Sequence, residues 1–148
     1  MRKYDILSVD ESLETLMAIA SSLEDKGYQV TTASSGEIAV KMMRIKKFDL
    51  VITDINMCDV DGVAVLKKAK ELNPDTAVMI LTGNRDARPR LDTFCHGADD
   101  VMLKPCKPGE LWKVVAKCLK RSELEQRQQL ELHIAQEARA SPSKDLHL

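Results

Sequence analysis

Five short apolar runs recur along the chain, Tyr4–Val9, Tyr28–Ala33, Leu50–Thr53, Ala77–Thr82 and Asp100–Leu103, and the stretches between them carry helical periodicity. Strands alternating with helices imply a parallel sheet joined by crossover helices. The first helix starts after Ser12, a good N-cap, puts Leu13, Leu16, Met17, Ala20 and Leu23 on one face, and ends at Gly27. The second follows Ser35 with Ile38, Met42 and Ile45 inward, and the third runs from about Val63 to Leu72 before Asn73-Pro74. A fourth is expected from about Pro89 to His96-Gly97, and a fifth carries Leu111, Val114, Val115, Cys118 and Leu119 at i, i+3, i+4, i+7 and i+8. Five strands and five helices make an α/β chain with a (βα)5 doubly wound five-stranded sheet.

Composition excludes several functions. A chain of 148 residues, 44% apolar and 30% charged, is sized for one domain with a real core. A formal net charge of -1, with no Lys/Arg cluster denser than Lys46-Lys47 or Lys67-Lys68, argues against direct nucleic-acid binding by this chain. The N-terminus reaches Asp5 before any long apolar stretch and no run approaches a membrane span, so no signal peptide or membrane segment is expected and the location is read as cytoplasmic. Cys58, Cys95, Cys106 and Cys118 are widely spaced, which favours free thiols over a zinc site or disulfides.

In a doubly wound sheet, ligands bind beyond the C-terminal strand ends. There the sequence places Asp10-Glu11 after the first strand, Asp54 with Asn56 after the third, Thr82-Gly83 after the fourth and Lys104-Pro105 after the fifth. Asp54 closes the run Phe48–Thr53, held by a strand yet open to ligand. Three carboxylates alone would repel one another, so Asp10, Glu11 and Asp54 read as an oxygen-only cup for Mg²⁺. Phosphoryl transfer to Asp54 would make an acyl phosphate, its charge met by the metal, the Lys104 ammonium and the Thr82 hydroxyl.

These stretches together resemble the response-regulator receiver domains of two-component signalling, the CheY-like superfamily, over roughly residues 3 to 121. The resemblance rests on Ile6–Glu11, Phe48–Met57, Asp61-Gly62, Ile80–Gly83 and Gly97–Asp100 leading to Leu103-Lys104-Pro105. It implies a flavodoxin-like strand order of 2-1-3-4-5. It also implies Asp54 as phosphoacceptor, Asp10 and Glu11 as the acidic pair for Mg²⁺, and Asn56 as a ligand through its backbone carbonyl. Thr82 would be the switch hydroxyl and Lys104 the phosphate-pairing lysine, with Lys104-Pro105 cis. The donor implied is a phosphohistidine on a histidine kinase or phosphotransfer protein. The chain would then be a signalling phosphoacceptor rather than an enzyme, with slow self-dephosphorylation tuned by Asn56 and Asn84. A Mg²⁺-dependent phosphohydrolase with an Asp nucleophile is the rival; it normally wants a second aspartate at position 56. An interaction-only pseudo-receiver is weakened by the complete residue set.

Three positions depart from the pattern. Cys58 stands where proline is frequent, implying a looser loop with an oxidisable thiol. Val101 occupies the place of the usual Tyr or Phe switch residue, so relay from Thr82 is expected to rely on loop and helix movement. Glu11 replaces the commoner aspartate. Asp59 and Asp61 do not fit a calcium loop, because counting back from Gly62 puts Met57 at the first ligand position. Asp99 and Asp100 read as acids facing solvent, and His96 as a helix C-terminal residue. The receiver is read as 1–121 and residues 122–148 as a helical extension and tail, a linker or a homodimer contact to which Trp112 adds. The fifth helix continues without a breaker to Ser141-Pro142. An extension this short cannot form an effector domain, so output needs a partner or further chain.

Overall fold

A computed structural model describes residues 3–83 and 97–140. Its strands are β1 (Asp5–Val9), β2 (Gln29–Ala33), β3 (Leu50–Thr53), β4 (Ala77–Thr82) and β5 (Asp100–Leu103). All pairings are parallel, in the order β2-β1-β3-β4-β5. The described helices are α1 (Leu13–Glu24), α2 (Gly36–Ile45), α3 (Gly62–Leu72) and the C-terminal helix, here α4 (Pro108–Ala140). The helix expected around Pro89 to His96, with Asn84 and Cys95, lies outside the described residues.

Alternation along the strands splits the core in two. Leu7, Val9, Val51, Val78 and Ile80 pack with Ala39, Val65, Leu66 and Ala69 under α2 and α3. Ile6, Leu50, Ile52, Ala77, Met79 and Leu81 pack with Ile19, Leu23, Leu111, Val115, Cys118 and Leu119 under α1 and α4. Helices thus cover both faces, which is why β3 and β4 are buried at every position and mostly apolar instead of alternating. Burial raises the Cys118 thiol to about 11, consistent with an inert core residue.

The helix faces differ from expectation in two places. In α1 the buried stripe is Leu16, Ile19 and Leu23, while Leu13 and Met17 are 69% and 63% exposed. In α2 the small residues Gly36 and Ala39 face inward, Met42 is partly buried, and Ile38 and Ile45 turn outward. Close approach decides this: a Cβ at Gly36 would lie 2.0 Å from the Val60 carbonyl oxygen. The small-residue stripe therefore has to face the body, displacing the Ile38–Ile45 stripe by about one residue's turn, ~100°.

Asp99 is a structural acid rather than a solvent-facing one. Its carboxylate accepts from Val78 N at 2.7 Å and Lys70 Nζ at 3.0 Å, and Lys70 also donates to the Thr76 carbonyl at 2.7 Å. Arg121 of α4 donates to the Asp99 carbonyl, so one aspartate joins α3, β4 and α4. Asp99→Ala should cost about 2–3 kcal/mol, since the buried Val78 N–H loses its acceptor and the partly buried Lys70 ammonium keeps the Thr76 carbonyl but loses its anionic partner. Urea unfolding should show a lower midpoint at unchanged slope; an unchanged midpoint would rule the tie out.

Helix α4 has 33 residues, about 50 Å at 1.5 Å per residue. Ser122 Oγ and Gln126 Nε2 donate to the Asp75 carbonyl at 3.0 and 3.3 Å, so contact with the body continues through Gln126. Residues 127–140 are all exposed, including Leu130, Leu132 and Ile134. Trp112 is half-buried: Lys26 Nζ lies 4.5 Å from its ring centroid, so the indole is covered within the chain. No described helix is long and apolar enough to cross a membrane.

Candidate functional site

Register brings the strand ends together. Asp10 N donates to the Ala33 carbonyl at 3.1 Å, Asp54 N to Val9 at 3.0 Å and Lys104 N to Thr82 at 2.8 Å, so the ladders run on into the site loops. The Lys104-Pro105 peptide, one residue further, is cis.

Asp10, only 4% exposed, accepts from Ser12 N at 2.9 Å through one oxygen and from Lys104 Nζ at 2.5 Å through the other. The same ammonium stands 3.6 Å from Asp54 Oδ2, and Asp54 Oδ1 accepts from Ile55 N at 2.8 Å. Two carboxylates on adjacent strand ends thus share one cation, which offsets the repulsion of placing them together. Asp54 keeps part of its side chain open to solvent, whereas Asp10 is sealed in. Thr82 is fully buried at the end of β4.

Glu11 does not join this pair. Its Oε1 accepts from Cys58 N at 3.1 Å, across a cleft of about 340 Å³ lined by Glu11, Ile55, Asn56, Met57, Cys58 and Asp61. Among the described residues, no three acidic, His or Cys side chains are grouped closely enough to cage an ion. The donor set nevertheless fits Mg²⁺, which takes one or two carboxylates and keeps waters on its other positions. The sealed Asp10 carboxylate beside Asp54 already requires a positive partner, and the Lys104 ammonium fills that electrostatic role.

The loop after Asp54 is tied down rather than loosened by Cys58. Gly62 N donates to the Ile55 carbonyl at 2.9 Å, and a Cβ at Gly62 would lie 2.1 Å from the Asp54 carbonyl oxygen. Asp61 caps α3, accepting from Ala64 N at 2.9 Å. Asp59 reaches across to α2, accepting from Gly36 N at 3.3 Å and Glu37 N at 3.0 Å, while Ser35 Oγ takes Ile38 N at 3.1 Å. The first three amides of α2 are thereby satisfied. Asp59 and Gly36 were not expected from sequence, because the contact spans 22 residues and leaves no local signature. The Cys58 thiol is raised above its ordinary range, chiefly by the neighbouring Glu11 carboxylate.

Backbone donors, Glu37 N first, hold the Asp59 carboxyl below the usual carboxylate range. A depressed folded pKa contributes stability above the unfolded value of about 3.9 and loses it as pH falls through the folded value. Asp59→Ala should therefore be less stable than wild type at pH 7, with the gap shrinking only below about pH 4. Urea midpoints at several pH values check this; a gap independent of pH would place the effect in packing.

The family model for the response regulator receiver domain matches residues 6–116. The chain is a response-regulator receiver domain. It is 35% identical over 117 residues to the transcriptional regulatory protein ZraR of Salmonella typhimurium, matching 79% of this chain but only 26% of that protein. Its fold superposes on Brucella abortus NtrX with a TM-score of 0.79 at 28% identity, over 88% of this chain and 30% of NtrX. It also superposes on the response regulator TrrA of Thermotoga maritima, solved with Mg²⁺ and a beryllofluoride group, with a TM-score of 0.71 at 30% identity over 78% of this chain and 98% of that one. The chain thus spans about a quarter of the length of ZraR. Membership of the receiver family agrees with the parallel strand order β2-β1-β3-β4-β5.

Proposed function

We propose that this receiver domain accepts a phosphoryl group on Asp54 from a phosphohistidine of a histidine kinase or phosphotransfer protein, and that the aspartyl phosphate changes which surfaces of the chain are available to partners. The observation that carries the reading is the shared ammonium: Lys104 lies between a sealed Asp10 and a reachable Asp54. An Asp54 oxygen forms the new P–O bond while the P–N bond breaks, and its electron pair leaves on the imidazole nitrogen, which takes up a proton. Ile55 N holds one carboxylate oxygen and so aims the other. Lys104 stands where charge accumulates on the transferring group. Mg²⁺, held by Asp10, Asp54 and the Asn56 carbonyl, with Glu11 within reach, would supply neutralisation of the phosphoryl oxygens.

The Thr82 hydroxyl is the switch group in this reading, and slow loss of the phosphoryl group is tuned by Asn56 and by Asn84. Val101 is 37% exposed on the edge strand β5 and has no ring to move. Relay therefore falls to the main chain beyond Thr82. Leu13 and Met17, exposed on α1 beside the site, offer apolar contact to the donor protein. Residues 122–148 act as linker or homodimer contact through the exposed Leu124, Leu130, Leu132 and Ile134. The hydrolase reading loses support because Asn56 offers no carboxyl for proton transfer.

The test is incubation with Mg²⁺ and acetyl phosphate, read by intact mass, together with sedimentation with and without beryllofluoride. One covalent phosphoryl group and a changed sedimentation coefficient are expected. Absence of both would sink the proposal.

A further inference from the structure

The Glu11 carboxylate is held by the chain itself, away from the Asp10–Asp54 pair. Its Oε1 accepts from the Cys58 backbone N–H at 3.1 Å. Residue 58 can do this because it keeps a backbone N–H, which proline at the same place would lack. The loop that carries the donor is itself anchored, by Asp59 on the α2 amides and by Gly62 N on the Ile55 carbonyl. Cys58 N is thus a fixed donor rather than a loop amide that follows Glu11 wherever it goes.

We infer that Cys58 is a positioning residue for the cation cup: its N–H parks Glu11 over the loop, and a divalent cation gains Glu11 only by breaking that bond. This rests on the reading of Asp10, Glu11 and Asp54 as a Mg²⁺ site. The parked arrangement weakens cation binding by the free energy of one hydrogen bond to a carboxylate and leaves the Lys104 ammonium as the resting partner of Asp10 and Asp54. Longer than aspartate by one methylene, Glu11 spans both positions; a shorter acid at position 11 would reach one less readily.

Calorimetric titration of the whole chain with Mg²⁺ tests the inference on Cys58→Pro and Cys58→Ala, each also in a Glu11→Ala background. Cys58→Pro should bind Mg²⁺ roughly threefold to tenfold more tightly than wild type, the worth of one such hydrogen bond. Cys58→Ala keeps the N–H and should stay within about twofold. With Glu11→Ala there is nothing to park, so proline should bring no gain; a gain of the same size there would trace the effect to loop stiffening and overturn the proposal. Equal affinity of wild type and Cys58→Pro, or an alanine effect as large as proline's, would overturn it as well. Should the proline variant not fold, the Cys58 amide resonance of wild type decides: saturating Mg²⁺ should shift it upfield as the carboxylate leaves, and an unmoved resonance overturns the proposal. Wild-type chain that binds no Mg²⁺ at all would remove the functional reading too, whereas binding with no Cys58 dependence removes this inference alone.

Discussion

Asp54→Asn should abolish phosphorylation by acetyl phosphate in the presence of Mg²⁺, lowering the rate by at least roughly 10³-fold while leaving the fold intact. The amide is nearly isosteric and its oxygen still accepts from Ile55 N, so the strand end is preserved. What disappears is the anionic oxygen that attacks phosphorus. No neighbour replaces it: Asp10 is 4% exposed with both oxygens engaged, and Glu11 is held at Cys58. Intact mass should show one phosphoryl group on wild type, removable by hydroxylamine as an acyl phosphate is, and none on the variant. Unfolding free energies should differ by less than about 1 kcal/mol. An adduct that persists on Asp54→Asn would move the acceptor elsewhere.

The strand ends were legible because their chemistry is local. Asp10, Asp54, Thr82 and Lys104 each terminate an apolar run, and a doubly wound sheet brings the ends of such runs together. Helix starts at Ser12 and Ser35 were equally local, since an N-cap and the amide it satisfies lie three residues apart. The inward faces of α1 and α2 were harder to read. Hydrophobicity marks Leu13, Met17, Ile38 and Ile45 as core candidates, but the closest approach of a helix is set by its small residues, and Gly36 and Ala39 outweigh larger apolar neighbours.

The remaining differences concern where charged side chains find partners. Asp99 looked like a loop acid because Val78, Lys70 and Arg121 are distant in sequence and meet it only in the folded chain. Glu11 was expected beside Asp10 and Asp54, since carboxylates adjacent in sequence invite a single cup. A backbone amide 47 residues away takes it instead, and a backbone donor has no residue type to give it away. The same holds for Asp59 on the α2 amides. Sequence therefore locates the groups that carry charge, while their resting partners follow from tertiary packing.

Lys104→Met should separate the two roles of the central ammonium by moving two observables in opposite directions. The lysine is the cation shared by Asp10 and Asp54, and its side chain is 24% exposed while that of Asp10 is 6% exposed. Replacing it with an apolar chain of similar length leaves a sealed carboxylate facing a second one, a loss of about 2–4 kcal/mol in metal-free buffer. Mg²⁺ relieves the same repulsion, so the midpoint gap should narrow in millimolar Mg²⁺, and the variant should bind the ion roughly tenfold more tightly because the competing ammonium is gone. Phosphorylation should nevertheless slow by about 10²-fold, because the positive group facing the transferring phosphoryl oxygens has been removed. A purely structural lysine would slow phosphorylation only in proportion to lost folded protein. A lysine concerned only with the phosphoryl group would leave metal-free stability unchanged. Tighter cation binding together with slower transfer is the pattern that a charge shared between the resting carboxylates and the reacting group must produce.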